Sequence, residues 1–293
     1  MKLGMKRCLV VGTTLLLSLP LVATWAAEKP SSTEKPPSFE DKLKNVQLCN
    51  GSDRSSPERQ IAGCTALIDV PHETTRLLAI AHNNRGNAYA ENGNFDHAIA
   101  DYDVAIKLNP TYAKPFNNRG LAYQKKGDYD RAIKEFDEAI KLSPNYGNAF
   151  ANRAVVYQKQ NNYERAAQDY DTAIRLEPNL AAAWNGRCWV RAILGQLKTA
   201  LADCNKAVAL KPNDAGTFDS RGLTHLKMGE FNSAIQDYST ALRLEPKLAT
   251  ALYGRGLAEL KKGDKSSGNA DLAAAKAINA SVADDFARYG VKL

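Results

Sequence analysis

From residue 79 onward, small, aromatic and polar residues return on a fixed interval. The run NNRGNAYAENG at 83–93 comes back as NNRGLAYQKKG at 117–127 and as ANRAVVYQKQN at 151–161. It returns as NGRCWVRAILG at 185–195, DSRGLTHLKMG at 219–229 and YGRGLAELKKG at 253–263. The interval is 34 residues each time, so six frames begin at Ala79, Ala113, Gly147, Ala181, Ala215 and Ala249.

Each frame predicts two antiparallel helices. Small residues at position 8 (Gly86, Gly120, Ala154, Cys188, Gly222, Gly256) and position 20 (Ala98, Ala132, Ala166, Ala200, Ala234, Gly268) let the two helices approach closely. Position 24 is large and apolar in most frames (Tyr102, Phe136, Tyr170, Tyr238) and fills the hairpin core. Glycine at position 15 (Gly93, Gly127, Gly195, Gly229, Gly263) suits a left-handed end to the first helix. Proline at position 32 (Pro110, Pro144, Pro178, Pro212, Pro246) stops the second. One hairpin cannot bury its apolar face alone, so neighbours must stack. No segment reads as a strand.

The period and the marker positions resemble the tetratricopeptide repeat over about 200 of the 293 residues. That resemblance implies an all-α fold: a right-handed α-solenoid of six hairpins at 79–112, 113–146, 147–180, 181–214, 215–248 and 249–280. Upstream, IAGCTALI at 61–68 has the second-helix pattern. Residues 41–78 then form a degenerate N-terminal repeat whose short first helix covers about Phe39–Leu48. Downstream, residues 281–293 supply a C-terminal capping helix, centred on SVADDFARY at 281–289.

The N-terminus has a different character. Lys2, Lys6 and Arg7 precede an apolar stretch from Leu9 to Val22, and Thr24 and Ala26 are small. Residues 1–27 therefore read as a secretory signal peptide cleaved after Ala26 or Ala27. The stretch falls short of the roughly 20 apolar residues that a membrane span needs. Residues 28–40, rich in Pro, Ser and charge, read as a flexible linker. The expectation is a periplasmic or secreted protein of bacterial type, with no membrane insertion after cleavage.

The leader changes the charge argument. The whole chain carries a formal +7, but without Lys2, Lys6 and Arg7 there are 36 basic residues against 32 acidic. A surplus of +4 is not a nucleic-acid footprint. Cys8 leaves with the leader, so four cysteines remain, and an even count in an exported chain favours disulfides. Three pairings are possible in principle. In the repeat frame Cys188 and Cys204 occupy positions 8 and 24, and Cys49 and Cys64 occupy positions 9 and 24. The frame thus selects Cys49–Cys64 and Cys188–Cys204.

Two columns are constant. Position 7 is Arg in all six frames (Arg85, Arg119, Arg153, Arg187, Arg221, Arg255), and position 23 is acidic in all six (Asp101, Glu135, Asp169, Asp203, Asp237, Asp271). Matched charge on the two helices predicts a ladder of ion pairs within or between hairpins.

Resemblance to the family places positions 2, 5, 6, 9, 12 and 13 on a concave, ligand-binding face. In the first three frames these are mostly amides and lysines, and Asn83, Asn87, Lys114, Asn117, Asn118, Asn148 and Asn152 become candidate peptide contacts. In the last three they turn apolar, and Trp189, Leu223, Tyr253 and Leu257 become candidate anchors. The family's clamp for acidic chaperone tails needs cations where this chain has Asn83, Asn148 and Asn152, so that ligand is not implied. The expected partner is an unidentified protein or peptide, with no cofactor and no metal. His72, His82, His97 and His225 show no metal spacing. No nucleophile–base arrangement appears, so the chain reads as a non-enzymatic scaffold or adaptor. The alternative is a self-associating structural protein of the cell envelope.

Overall fold

A computed structural model describes residues 38–52 and 56–291, all within one unit spanning Ser38–Leu293. The leader and most of the linker expected at 28–40 lie outside the described residues. Residues 39 and 40, assigned to that linker from sequence, are already helical, because Ser38 caps a helix beginning at Phe39.

The described residues form fifteen helices and no strand. The first hairpin is α1 (Phe39–Cys49) with α2 (Pro57–Ile68). Six repeat hairpins follow: α3 (Thr75–Glu91) with α4 (Phe95–Leu108), α5 (Ala113–Lys125) with α6 (Tyr129–Leu142), and α7 (Gly147–Lys159) with α8 (Tyr163–Leu176). The rest are α9 (Ala181–Ile193) with α10 (Leu197–Leu210), α11 (Ala215–Met228) with α12 (Phe231–Leu244), and α13 (Ala249–Lys261) with α14 (Lys265–Ile278). A short α15 (Val282–Arg288) closes the array. Consecutive first helices touch one another, from α3 through α13, whereas consecutive second helices do not. The first helices therefore form the inner, concave face of an α-solenoid. Among the described residues, no helix is long and apolar enough to cross a membrane.

Local rules explain the hairpins. Asn94, Asp128 and Asn162 accept the backbone N–H three residues on, capping α4, α6 and α8. The glycines at position 15 have φ between 75° and 93°, and the third frame holds the same turn with Asn161 at 58°. The residue before each position-32 proline is extended, as steric clash with the proline ring demands; Asn109, for example, has φ −141° and ψ 88°.

The hairpin core is a side chain set against a missing one. A methyl on Gly86 would lie 2.6 Å from the Tyr102 ring, and one on Gly120 would lie 2.7 Å from Phe136. The fourth repeat replaces this contact covalently: Cys188 at position 8 is bonded to Cys204 at position 24, with Cα atoms 5.2 Å apart. Cys49 and Cys64 pair likewise between α1 and α2, at 4.5 Å. Both pairs match those the frame selects. The apolar core is a series of local clusters strung along the array, as expected when each repeat contacts only its neighbours.

The position-7 arginines bind in two directions. Within a repeat, Nε and Nη2 of Arg153 donate to the two carboxylate oxygens of Asp169 at 2.8 and 2.7 Å. Arg85, Arg187, Arg221 and Arg255 grip Asp101, Asp203, Asp237 and Asp271 with the same fork. The remaining nitrogen, Nη1, reaches back to position 25 of the preceding repeat. Arg119 meets Asp103, Arg153 meets Asp137, Arg187 meets Asp171, Arg221 meets Asn205 and Arg255 meets Ser239. Arg85 extends the pattern into the degenerate repeat through Thr65 at 3.0 Å. Four of the guanidinium groups also lie over the aromatic ring at position 4 of their own helix, with Arg187 4.9 Å from the Trp184 centroid.

Glu135 is the exception. Its longer side chain lets only Nη2 of Arg119 reach both oxygens, at 2.9 and 2.7 Å, and Nε is buried without a partner. Burial pushes the Glu135 carboxyl up, with Arg119 opposing. At Asp101 burial pushes the same way, but hydrogen bonds from Arg85 and His82 outweigh it and hold the carboxyl below its ordinary value.

Glu135→Asp should restore the full fork and raise stability by about 1 kcal/mol, the cost of one buried unsatisfied donor; a lower urea midpoint would contradict this. Selective loss of the Cys188–Cys204 bond, which spans 16 residues, should cost about 3 kcal/mol, read as the same midpoint for Cys188→Ser with Cys204→Ser.

Candidate functional site: the first-helix face and its cavity

The concave face starts as a ladder of amides. Asn118 donates to Asn83 at 3.1 Å and to Asn87 at 2.9 Å. Asn117 donates to Asn118 at 3.1 Å, and Asn152 donates to Asn117 at 2.9 Å. Asn83 donates to Asn84, and Asn84 donates to Asn50 in the degenerate repeat. The Tyr102 hydroxyl donates to Asn87 at 2.8 Å. An amide offers both donor and acceptor, so a column of them can join neighbouring helices. Asn83 and Asn117 are buried, while Asn87, Asn118 and Asn152 are half-buried. The amides expected to hold a peptide thus largely hold one another. Lys114 and Asn148 remain exposed, with Asn148 donating to Glu177 at 2.8 Å.

The apolar end is covered by the chain itself. Leu223, Tyr253 and Leu257 are buried. Phe286 of α15 packs against Tyr253 with ring centroids 4.9 Å apart, and Tyr289 stands edge-on to Trp189 at 5.1 Å. Lys227 fastens this helix: its ammonium donates to the carbonyls of Tyr289 at 2.5 Å and Ile193 at 3.4 Å. A cation at a helix C-terminus satisfies carbonyls that lack an internal partner. Burial pushes the Lys227 ammonium below its ordinary value. Among the four expected apolar anchors, Trp189 alone keeps an accessible edge.

That edge opens onto a cavity of about 650 Å³ bounded by α7, the start of α8, α9, α11 and α15. Tyr163, Trp189 and Tyr289 supply aromatic walls, and Asn185 and Asp219 supply polar ones. Asp219 keeps part of its surface open, but its Oδ1 is sealed from solvent and finds no partner among the described residues. Its Oδ2 accepts from the Thr250 hydroxyl at 2.9 Å. Burial raises this carboxyl to about 7; the Thr250 hydrogen bond opposes, and Glu245 adds to the rise. The Asn185 Oδ1 is likewise buried and unpartnered. Asp219 was not among the candidates read from sequence. The available signal was an acid at position 5, where the first, second and fourth frames carry Asn83, Asn117 and Asn185.

Three of the four histidines are engaged in structural contacts. His82 pairs with Asp101 at 2.8 Å, His97 with Asn94 at 2.8 Å and His225 with Glu230 at 2.6 Å. Among the described residues, no group of three or more His, Cys, Asp or Glu side chains could hold a metal ion.

A family profile described as TPR repeat matches residues 86–127 and 222–263, and one described as tetratricopeptide repeat matches 113–146 and 147–180. The chain belongs to the tetratricopeptide repeat family. No curated protein matches it by sequence. Among solved structures, the Cut9–Hcn1 hetero-tetramer of the APC/C is 16% identical with a TM-score of 0.67, covering 86% of this chain and 52% of that one. A tetratricopeptide repeat protein from Parabacteroides merdae is 16% identical with a TM-score of 0.62, covering 86% of this chain and all of that one. PilF of Pseudomonas aeruginosa is 17% identical with a TM-score of 0.63, covering 73% and 99%. At this identity the likeness establishes the tetratricopeptide solenoid alone.

An unfolded aspartate titrates near 3.8, so the folded chain binds the Asp219 proton more tightly. The contribution of this residue to stability should therefore fall as pH rises from about 4 to about 7 and stay constant above. Asp219→Asn should gain on wild type across that window; a stability difference that does not change with pH would contradict it. Asn118→Ala breaks three hydrogen bonds of the amide ladder and should cost about 1–3 kcal/mol, read by urea unfolding.

Proposed function

We propose that this array is an exported, non-enzymatic scaffold that binds a partner peptide or helix along its first-helix face. The observation that carries the reading is the open cavity in that face, where Trp189 and two unpartnered acceptors meet. Solenoids create extended concave surfaces, and binding sites favour an aromatic anchor beside a few fixed polar groups. Exposed Lys114, Lys125, Asn148 and Lys159 extend the polar part of the surface away from the cavity. The apolar capacity there is smaller than the sequence suggests, since α15 occupies it, so the partner is expected to meet mostly polar surface and one aromatic pocket. The basic, then apolar, then small-residue order of residues 1–27 supports export and a periplasmic or secreted location.

A second reading is self-assembly. Phe39 and Leu43 lie one turn apart on α1 and are 81% and 48% exposed. Sedimentation at rising concentration separates the two, because a strict monomer disfavours assembly.

The binding reading is tested with a photo-crosslinking residue placed at Lys114 or Asn148 in cells exporting the protein. One discrete partner is expected, and its yield should drop on Trp189→Ala with helicity unchanged. A yield indifferent to Trp189 would count against the groove.

A further inference from the structure

We propose that the cavity between α7, α9, α11 and α15 is a socket for a primary ammonium group, the lysine side chain of a bound partner peptide. The identity of the ligand as a peptide rests on the groove reading above; the chemistry of the socket does not.

Two wall residues carry an acceptor that no donor reaches. Asn185 and Asp219 occupy the same repeat position on adjacent first helices, and each keeps one buried oxygen unpartnered. Four hydroxyls around the cavity already donate elsewhere. Tyr163 donates to Asn161 at 2.8 Å, Ser220 to the Gly216 carbonyl at 2.9 Å, Thr217 to the Asp214 carbonyl at 2.8 Å, and Tyr170 to Gln158. A ligand matching this surface must bring hydrogens, and an ammonium brings three.

The charge balance agrees. Lys211 pairs with Asp214 at 2.7 Å, and Arg288 pairs with Asp285. Lys159 is exposed at the cavity rim. Asp219 is left without a cation against it, which favours a cationic ligand at that wall. A lone carboxylate is also too few ligands for a divalent metal. The rings favour an organic cation: Trp189 stands edge-on between Tyr163, at 5.8 Å, and Tyr289, at 5.1 Å. Such walls also suit the methylene stem that a lysine carries. A quaternary ammonium fits the rings but has no N–H for the two acceptors.

Occupancy depends on pH. The groups facing Asp219 are Asn185 on α9, Tyr238 on α12, Glu245 after it, Thr250 on α13 and Tyr289 on α15. None of them is a cation, so ligand and proton compete for the same carboxylate. With half-titration near 7, affinity for an ammonium should rise about tenfold from pH 6 to pH 8.

The test is calorimetric titration of the full chain with the capped tripeptide acetyl-Ala-Lys-Ala-amide. Nε-acetyl and Nε-trimethyl versions and n-butylamine are run in parallel. The unmodified tripeptide should bind at least tenfold more tightly than either modified form. Its affinity should climb with pH in wild type and stay flat and low in Asp219→Asn. Asn185→Leu, checked for helicity, gives a second loss that does not alter a charge. Equal binding of the acetylated peptide, or an unchanged Asp219→Asn profile, overturns the socket. Butylamine binding as tightly as the peptide overturns its assignment to a peptide lysine. If crosslinks at Asn148 persist while the titrations show no preference for lysine, the groove reading stands and the socket fails. If the titrations succeed without crosslinks, the groove reading fails.

Discussion

The structure hangs on one repeated arrangement: an arginine on the concave helix that grips its own hairpin and the previous one together. Two nitrogens fix the angle between the helices of one repeat. The third nitrogen fixes how far the repeat turns against its predecessor. The guanidinium is suited to this because its donors lie in one rigid plane, which a lysine could not reproduce. The stability that each contact adds is modest, because desolvation offsets much of the attraction. Its effect is on register: six stitches at identical positions hold the first helices in step along the face.

That register is what aligns position 5 of neighbouring repeats. In the N-terminal half it lines up Asn83 and Asn117 so that their amides close a hydrogen-bonded column. Two repeats later it lines up Asn185 and Asp219, where the column loses its complementarity. There the position-6 residues of the following repeats are Ser220 and Gly254, which bring no amide hydrogens, so Asn185 and Asp219 each keep an unpartnered oxygen. The cavity is thus a fault in an otherwise self-satisfied ladder. The end of α15 adds Tyr289 to one wall of it.

The fold was legible in the sequence because each marker records a single steric or hydrogen-bonding demand. Gly86 and Gly120 are small because a ring occupies the space, and Pro110 ends a helix because it lacks an N–H. The Arg85 and Asp101 columns were equally visible. Their link to position 25 was not, because Asp103, Asp137 and Asp171 lie on exposed faces of the second helices and look like ordinary surface charge. The face itself was harder to read. Asn83 and Asn117 have the polarity of ligand contacts, yet neighbouring helices are close enough to satisfy them internally. Leu223 and Leu257 look like anchors until the capping helix is placed over them. Asp219 escaped notice because its significance lies in what fails to reach it, and that is a property of packing.

The central claim is that each arginine couples two hairpins. The most direct test is a pair of double-mutant cycles at Arg187, one with Asp203 in the same repeat and one with Asp171 in the previous repeat, measured by urea unfolding. The account predicts coupling in both cycles, about 0.5–3 kcal/mol with buried Asp203 and less with exposed Asp171. Coupling to Asp203 alone, with none to Asp171, would contradict it.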